Sequence, residues 1–115
     1  SDEISFSVTD SLSVLAPSSS LTTVLATNAG AATIIVPEST NITYMFIRHT
    51  GTTNGTTATA QLVDIEDTDN VCIGTLGANE WCFWPWHKRS ATKGVQLQVN
   101  HDSIVQMEYA YWTKA

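Results

Sequence analysis

The sequence is short of charge. Asp, Glu, Lys and Arg make up 14% of its 115 residues, against about a quarter in an ordinary globular domain. Thr, Ser and Asn fill the difference, which suits a surface that packs against other surfaces. Basic residues are scarcest: five Lys and Arg face eleven Asp and Glu, for a net charge of −6. A chain that neutralises phosphates needs clustered cations. Three of the five basic residues sit in one segment (Lys88, Arg89, Lys93), too few for that role, so no nucleic-acid partner is expected. No apolar run approaches the roughly 20 residues of a membrane-spanning helix. The polar start Ser1-Asp2-Glu3 shows no signal-peptide pattern, and no membrane association is expected.

Cysteine is equally sparse. Cys72 and Cys82 are too few for a disulfide framework. They could face each other across a hairpin, but two buried free thiols is the preferred expectation. With scattered histidines they give no zinc spacing. No catalytic constellation is present either, because no serine, cysteine or histidine stands in a motif joining nucleophile, base and orienting group. His101 and Asp102 read as a solvated turn, and His49 and His87 as surface histidines. Asp64, Glu66, Asp67 and Asp69 are hard oxygen ligands, but their spacing does not match the helical calcium loop and its glycine is missing. They read as a solvated acidic loop, and opposite charge would let that loop meet the Lys88–Lys93 segment of a neighbouring subunit. The glycosylation patterns at Asn41 and Asn54 are read as unused. The chain is therefore read as a non-enzyme with no cofactor and no metal site.

What remains is β-pattern. With 43% hydrophobic residues the chain has enough for a core, and its length fits one domain, residues 1–115. Ile4, Phe6 and Val8 alternate with polar residues, and residues 1–20 read as an N-terminal arm or edge strand. Leu21–Thr27, Ala32–Val36 and Ala58–Ile65 read as strands, and Val71–Ile73 as a short one. In Ile42–His49 the residues Ile42, Tyr44, Phe46 and Arg48 share one face, and Thr43, Met45 and Ile47 the other. Both faces are largely apolar, which marks a central strand. Thr50–Thr57 reads as a mobile loop. Val95, Leu97 and Val99 alternate strictly, and Val105, Met107, Tyr109 and Tyr111 form the apolar face of the last strand. Turn signals recur at the spacing of an all-β sandwich or barrel. The fold expected is a single-domain antiparallel β-sandwich, jelly-roll-like, with about eight strands and no major helix.

The most distinctive stretch is Asn79–Trp86, Asn-Glu-Trp-Cys-Phe-Trp-Pro-Trp. As a strand it puts Trp81 and Phe83 on one face, and Cys82, Trp84 and Trp86 on the other. Pro85 is expected to end the pairing. Four tryptophans and Phe83 exceed what one small core takes, so some are expected at an interface or in a ligand groove. Trp84, Trp86 and Trp112, with Lys88 and Arg89 beside them, are the candidates for contact, and Trp81 and Phe83 are assigned to the opposite face.

The second half of the chain resembles small β-rich decoration, or cement, proteins of tailed-bacteriophage heads. The resemblance runs through Phe46-Ile47-Arg48-His49-Thr50-Gly51, Ile73-Gly74-Thr75-Leu76-Gly77-Ala78-Asn79-Glu80-Trp81, Phe83-Trp84-Pro85, Val95–Val99 and Glu108-Tyr109-Ala110-Tyr111-Trp112, about 65 residues. It implies a virion structural protein, made in the host cytoplasm and placed on the outer surface of the capsid. Its partner would be the major capsid protein, and it would self-associate as a dimer or trimer. Related-looking domains occur in phage tail and fibre proteins, so a carbohydrate-binding or receptor-binding domain is the alternative.

Overall fold

The computed structural model describes residues 14–17, 21–27, 32–38, 42–86, 93–99 and 103–114. They form nine strands and no helix: β1 (Val14–Pro17), β2 (Thr22–Thr27), β3 (Thr33–Val36), β4 (Thr43–His49), β5 (Val63–Asp67), β6 (Cys72–Leu76), β7 (Trp81–Trp86), β8 (Val95–Val99) and β9 (Ile104–Lys114). One sheet, called here the front sheet, runs β1-β9-β4-β7, with β2 on the same flank of β9 as β1. The back sheet runs β3-β8-β5-β6. All pairings are antiparallel.

The pairs are nested. β2 pairs with β9, β3 with β8, β4 with β7 and β5 with β6. This is a long hairpin rolled into two sheets by the further pairs β4·β9 and β5·β8, which is the strand order of a jelly roll. The expected β-sandwich is present. Residues 1–13, which hold the alternating Ile4–Val8 segment, lie outside the described residues. Val14–Pro17 pairs with Trp112–Lys114 as an edge strand.

The core lies between the sheets. The front sheet contributes Ala26, Met45, Ile47, Trp86, Val105 and Met107, and the back sheet Ile35, Val63, Ile65, Leu76, Val95, Leu97 and Val99. β4 alternates between buried and half-buried along its whole length, because it lies between β9 and β7 and shows the core only one side. The face assignment made from its sequence holds.

Two expectations change. The strand placed at Ala58–Ile65 begins at Val63. The residues before it belong to a hydrogen-bonded loop: Asn54 Oδ1 accepts from the Thr56 and Thr57 amides, and Thr52 pairs with Ala58 in an isolated bridge. Its glycines Gly51 and Gly55 have φ of 78° and 93°, a region that favours glycine. That loop covers His49, which is buried and no surface residue. Its Nε2 lies 2.7 Å from the Gln61 carbonyl, and its Nδ1 accepts the Gly51 amide at 2.9 Å. The two bonds define the Nε2–H tautomer.

The acidic residues are also built into the fold. Asp67 is buried, and its Oδ1 accepts the amides of Asp69 and Val71 at 2.9 and 3.1 Å, closing the β5–β6 turn in which Asn70 has φ 65°. Gln96 donates to Glu66 and Asn70, and Thr75 to Asp64. Lys93 pairs with Asp69 within the chain, so this contact of basic segment and acidic loop is internal. The hydrogen bond that Lys93 donates to that carboxylate holds its ammonium above the ordinary lysine value. Among the described residues no group of three or more His, Cys, Asp or Glu could hold a metal ion.

Candidate assembly surface

β7 carries the aromatic stretch and forms one edge of the front sheet. The preceding turn sets its phase. Asn79 has φ 66°, its amide donates to the His49 carbonyl at 3.1 Å, and the His49 amide donates to the Glu80 carbonyl at 2.9 Å. From there β7 pairs with β4 in regular register, Trp81 opposite Arg48 through Trp86 opposite Thr43.

This phase reverses the assignment of the two faces. Trp86 is buried in the core and donates its indole N–H to the Lys93 carbonyl at 2.9 Å. Trp84 and Cys82 are partly buried and pack against the same core. Trp81 and Phe83 point away from it and are 62% and 44% exposed. Alternation shows which residues share a face; it does not show which face turns inward. Here Met45 and Ile47, opposite Trp84 and Cys82, are fully buried and decide the matter. Of the contact candidates, Trp86 and Trp84 are therefore core-side residues. Trp112 lies on the outward face, and Lys88 and Arg89 lie outside the described residues.

The outward face of the front sheet is an aromatic platform. Tyr44 stacks on Phe83, Phe46 meets Trp81 at 6.1 Å and Phe83 meets Trp112 at 6.1 Å. These rings come from three neighbouring strands, β4, β7 and β9, whose registers align Tyr44 with both Pro85 and Trp112. The charged pair at its border is Arg48–Glu108, aligned across β4 and β9 and joined by an ion pair. Such a surface offers stacking and apolar contact with little net charge. No arrangement of nucleophile and base appears in it.

The cysteines are free and lie in different sheets, Cys72 on β6 and Cys82 on β7. They do not face each other across a hairpin. Cys72 is exposed, contrary to the expectation of a buried thiol, whereas Cys82 is half-buried. Burial pushes the Cys82 thiol up to about 11, against a smaller opposing effect of a backbone hydrogen bond at Ile47.

Fold and surface together define a jelly-roll β-sandwich with an exposed aromatic platform at one sheet edge. No protein-family model matches the chain, and no curated protein matches it.

Proposed function

We propose that the chain is a virion structural protein of the decoration, or cement, type. It binds the outer surface of a tailed-phage head and bridges subunits of the major capsid protein. The observation that carries the proposal is the platform formed by Tyr44, Phe46, Trp81, Phe83 and Trp112, which leaves Trp81 62% exposed. Aromatic residues are enriched at protein interfaces and charged ones depleted from interface cores. A shell under internal pressure gains stability when an outside protein straddles several of its subunits. Each copy needs only a modest contact, because many copies act together. The resemblance of the second half to head decoration proteins points the same way, and jelly rolls serve in capsids and lectins alike.

The test is co-sedimentation of the purified chain with expanded, undecorated phage shells. Binding that is lost in Tyr44→Ala/Trp112→Ala, with the fold retained by circular dichroism, is the expected result. Absence of binding to shells together with retention on a glycan array would overturn the proposal.

That second outcome is the carbohydrate-binding or receptor-binding reading, that of a tail or fibre domain. One observation favours it: exposed rings suited to stacking on a sugar lie beside the hydrogen-bonding groups of Arg48 and Glu108.

A further inference from the structure

Among the described residues no strand pairs with the outer edge of β7, and that edge has a hydrogen-bonding pattern of its own. Along an antiparallel strand, alternate residues bond to the neighbour and the residues between them turn their amide and carbonyl the other way. The bond from the His49 amide to the Glu80 carbonyl fixes the phase. Cys82, Trp84 and Trp86 therefore bond towards β4, and Trp81, Phe83 and Pro85 turn their backbone groups outward. Pro85 has no N–H, so it sits where none is needed, and β7 continues through it to Trp86. It does not end the pairing. At the edge, Trp81 and Phe83 each present both an amide and a carbonyl, and Pro85 presents a carbonyl alone.

Edge strands of soluble proteins are usually guarded by charge, bulges or shortness. The edge pairings of β1, β3 and β6 each contain a register shift, and β1 and β3 have only four residues. β2 is regular and rich in threonine. β7 is six residues long, pairs without a bulge and carries no charged side chain.

We infer that β7 pairs antiparallel with β7 of a second copy of this chain across a two-fold axis at Cys82. An isologous two-fold contact puts the same patch on both sides, and one register keeps Pro85 out of the ladder. Trp81 facing Phe83 of the second copy, and Phe83 facing its Trp81, makes four backbone hydrogen bonds and uses every amide and carbonyl of the two residues. Moving the axis to Phe83 also makes four bonds, but it sets Pro85 inside the ladder against Trp81, where the missing N–H strands the Trp81 carbonyl; with the axis at Cys82 the Pro85 carbonyl lies beyond the end of the paired residues. With the axis at Cys82 the two front sheets become one continuous sheet, and the aromatic platforms join.

The contact is small. Aromatic side chains bury about 150–250 Å² each when fully covered, and Trp81 and Phe83 are already partly covered. With the backbone ladder, the total comes near the roughly 1,000 Å² that marks the lower bound of a specific interface. The dimer is therefore concentration-dependent in solution, and it strengthens where copies are held side by side.

The register has a direct readout. Residues facing each other in a non-hydrogen-bonded pair have Cα atoms about 4.5 Å apart, within the range a disulfide spans. Cys82 faces Cys82 of the second copy in such a pair. The experiment uses the full chain with Cys72→Ser, oxidised by copper phenanthroline above neutral pH. Each thiol gives up a proton and an electron to the oxidant, and an S–S bond forms. A covalent dimer linked through Cys82, together with a concentration-dependent dimer by sedimentation velocity, is the expected result.

Phe83→Lys, a guard charge on an exposed edge position, raises the dimer dissociation constant at least about tenfold, the effect of losing a modest hot spot. Trp81→Lys gives the same answer should Phe83→Lys fail to fold. A strictly monomeric chain, a dimer indifferent to both lysines, or a dimer with no Cys82 cross-link would each overturn the inference. The inference deepens the assembly reading by naming the self-contact, and the two fail separately. Shell binding by a monomer sinks the dimer alone, and a dimer that ignores shells sinks the virion reading alone.

Discussion

Tyr44 and Phe83 lie face to face on neighbouring strands, ring centroids 6.4 Å apart and planes 4° from parallel. The contact is diagonal, because directly across the ladder Tyr44 faces Pro85 and Phe83 faces Phe46. Parallel stacking of two rings on the outside of a sheet gives Phe83 a fixed orientation without burying it. Substitutions of Phe83 and Trp86, three residues apart on β7, should therefore separate surface from core.

Phe83→Ala is expected to lower stability by about 1 kcal/mol, because it removes exposed ring contacts with Tyr44 and Trp112 and partial burial only. Trp86→Ala should lower it by about 3–5 kcal/mol through loss of core volume. Trp86→Phe should fall between, since it leaves the Lys93 carbonyl without its indole donor. Urea unfolding of the three variants checks the order. Equal losses for Phe83→Ala and Trp86→Ala would contradict the assignment of faces.

His49 is fully buried and bridges two loop segments through Gln61 and Gly51. His49→Ala opens a cavity and strands both loop groups, with an expected loss of about 2–4 kcal/mol. Hydrogen exchange should report it first as faster exchange at the Gly51 amide. Protection there unchanged in the variant would show that the ring does not hold the loop.

Gly94 and Gly74 form a matched test. A Cβ on Gly94 would stand 2.1 Å from the Val36 carbonyl oxygen, at the irregular start of the β3–β8 pairing, whereas one on Gly74 meets nothing within 4 Å. Gly94→Ala is expected to cost about 3 kcal/mol or more, because backbone must shift, and Gly74→Ala to stay within about 1 kcal/mol of the parent. Thermal unfolding of the two proteins side by side is sufficient.

Cys82 gives a pH dependence with a defined sign. Its folded thiol titrates at about 11, against 9.0 when unperturbed. The folded chain holds a proton that the unfolded chain releases first. The contribution to stability is complete below 9.0 and is lost as pH rises towards 11. Cys82→Ala should flatten the stability profile in that window. Near pH 8 iodoacetamide should label exposed Cys72 well before Cys82, because the thiolate is the reactive form. Equal labelling rates would refute the burial of Cys82.

Much of the fold was legible because strand alternation is a direct record of one-sided burial. β4, β8 and β9 read correctly from the spacing of Met45 and Ile47, of Val95, Leu97 and Val99, and of Val105 and Met107. The inward face of β7 was not legible, because both faces are aromatic and the phase is set by the Asn79–Glu80 turn and its bonds to His49. His49 was missed although its signal was present: it shares parity with Thr43, Met45 and Ile47. A neighbouring glycine-rich loop suggested exposure, and only the path of residues 50–62 back across the strand end reveals the cover. The acidic run reads as a loop in sequence, and three-dimensional pairing turns Asp67 into the buried acceptor of a turn.

The nested pairing of the strands has a kinetic consequence. Among the described residues β5 and β6 are the one pair joined by a tight turn within a sheet, and Asp67 closes that turn with its own side chain. Every later pair encloses the one before it, until Thr22 meets Tyr109. Chain closure of that kind is paid for before it is rewarded, and such topologies fold on the order of milliseconds to seconds. The hairpin at Asp67 is the natural starting point of a zipper that runs outward to β2 and β9. In that nesting the β4–β7 pair, with its aromatic edge, stands between the β5–β6 hairpin and the outermost β2–β9 pair.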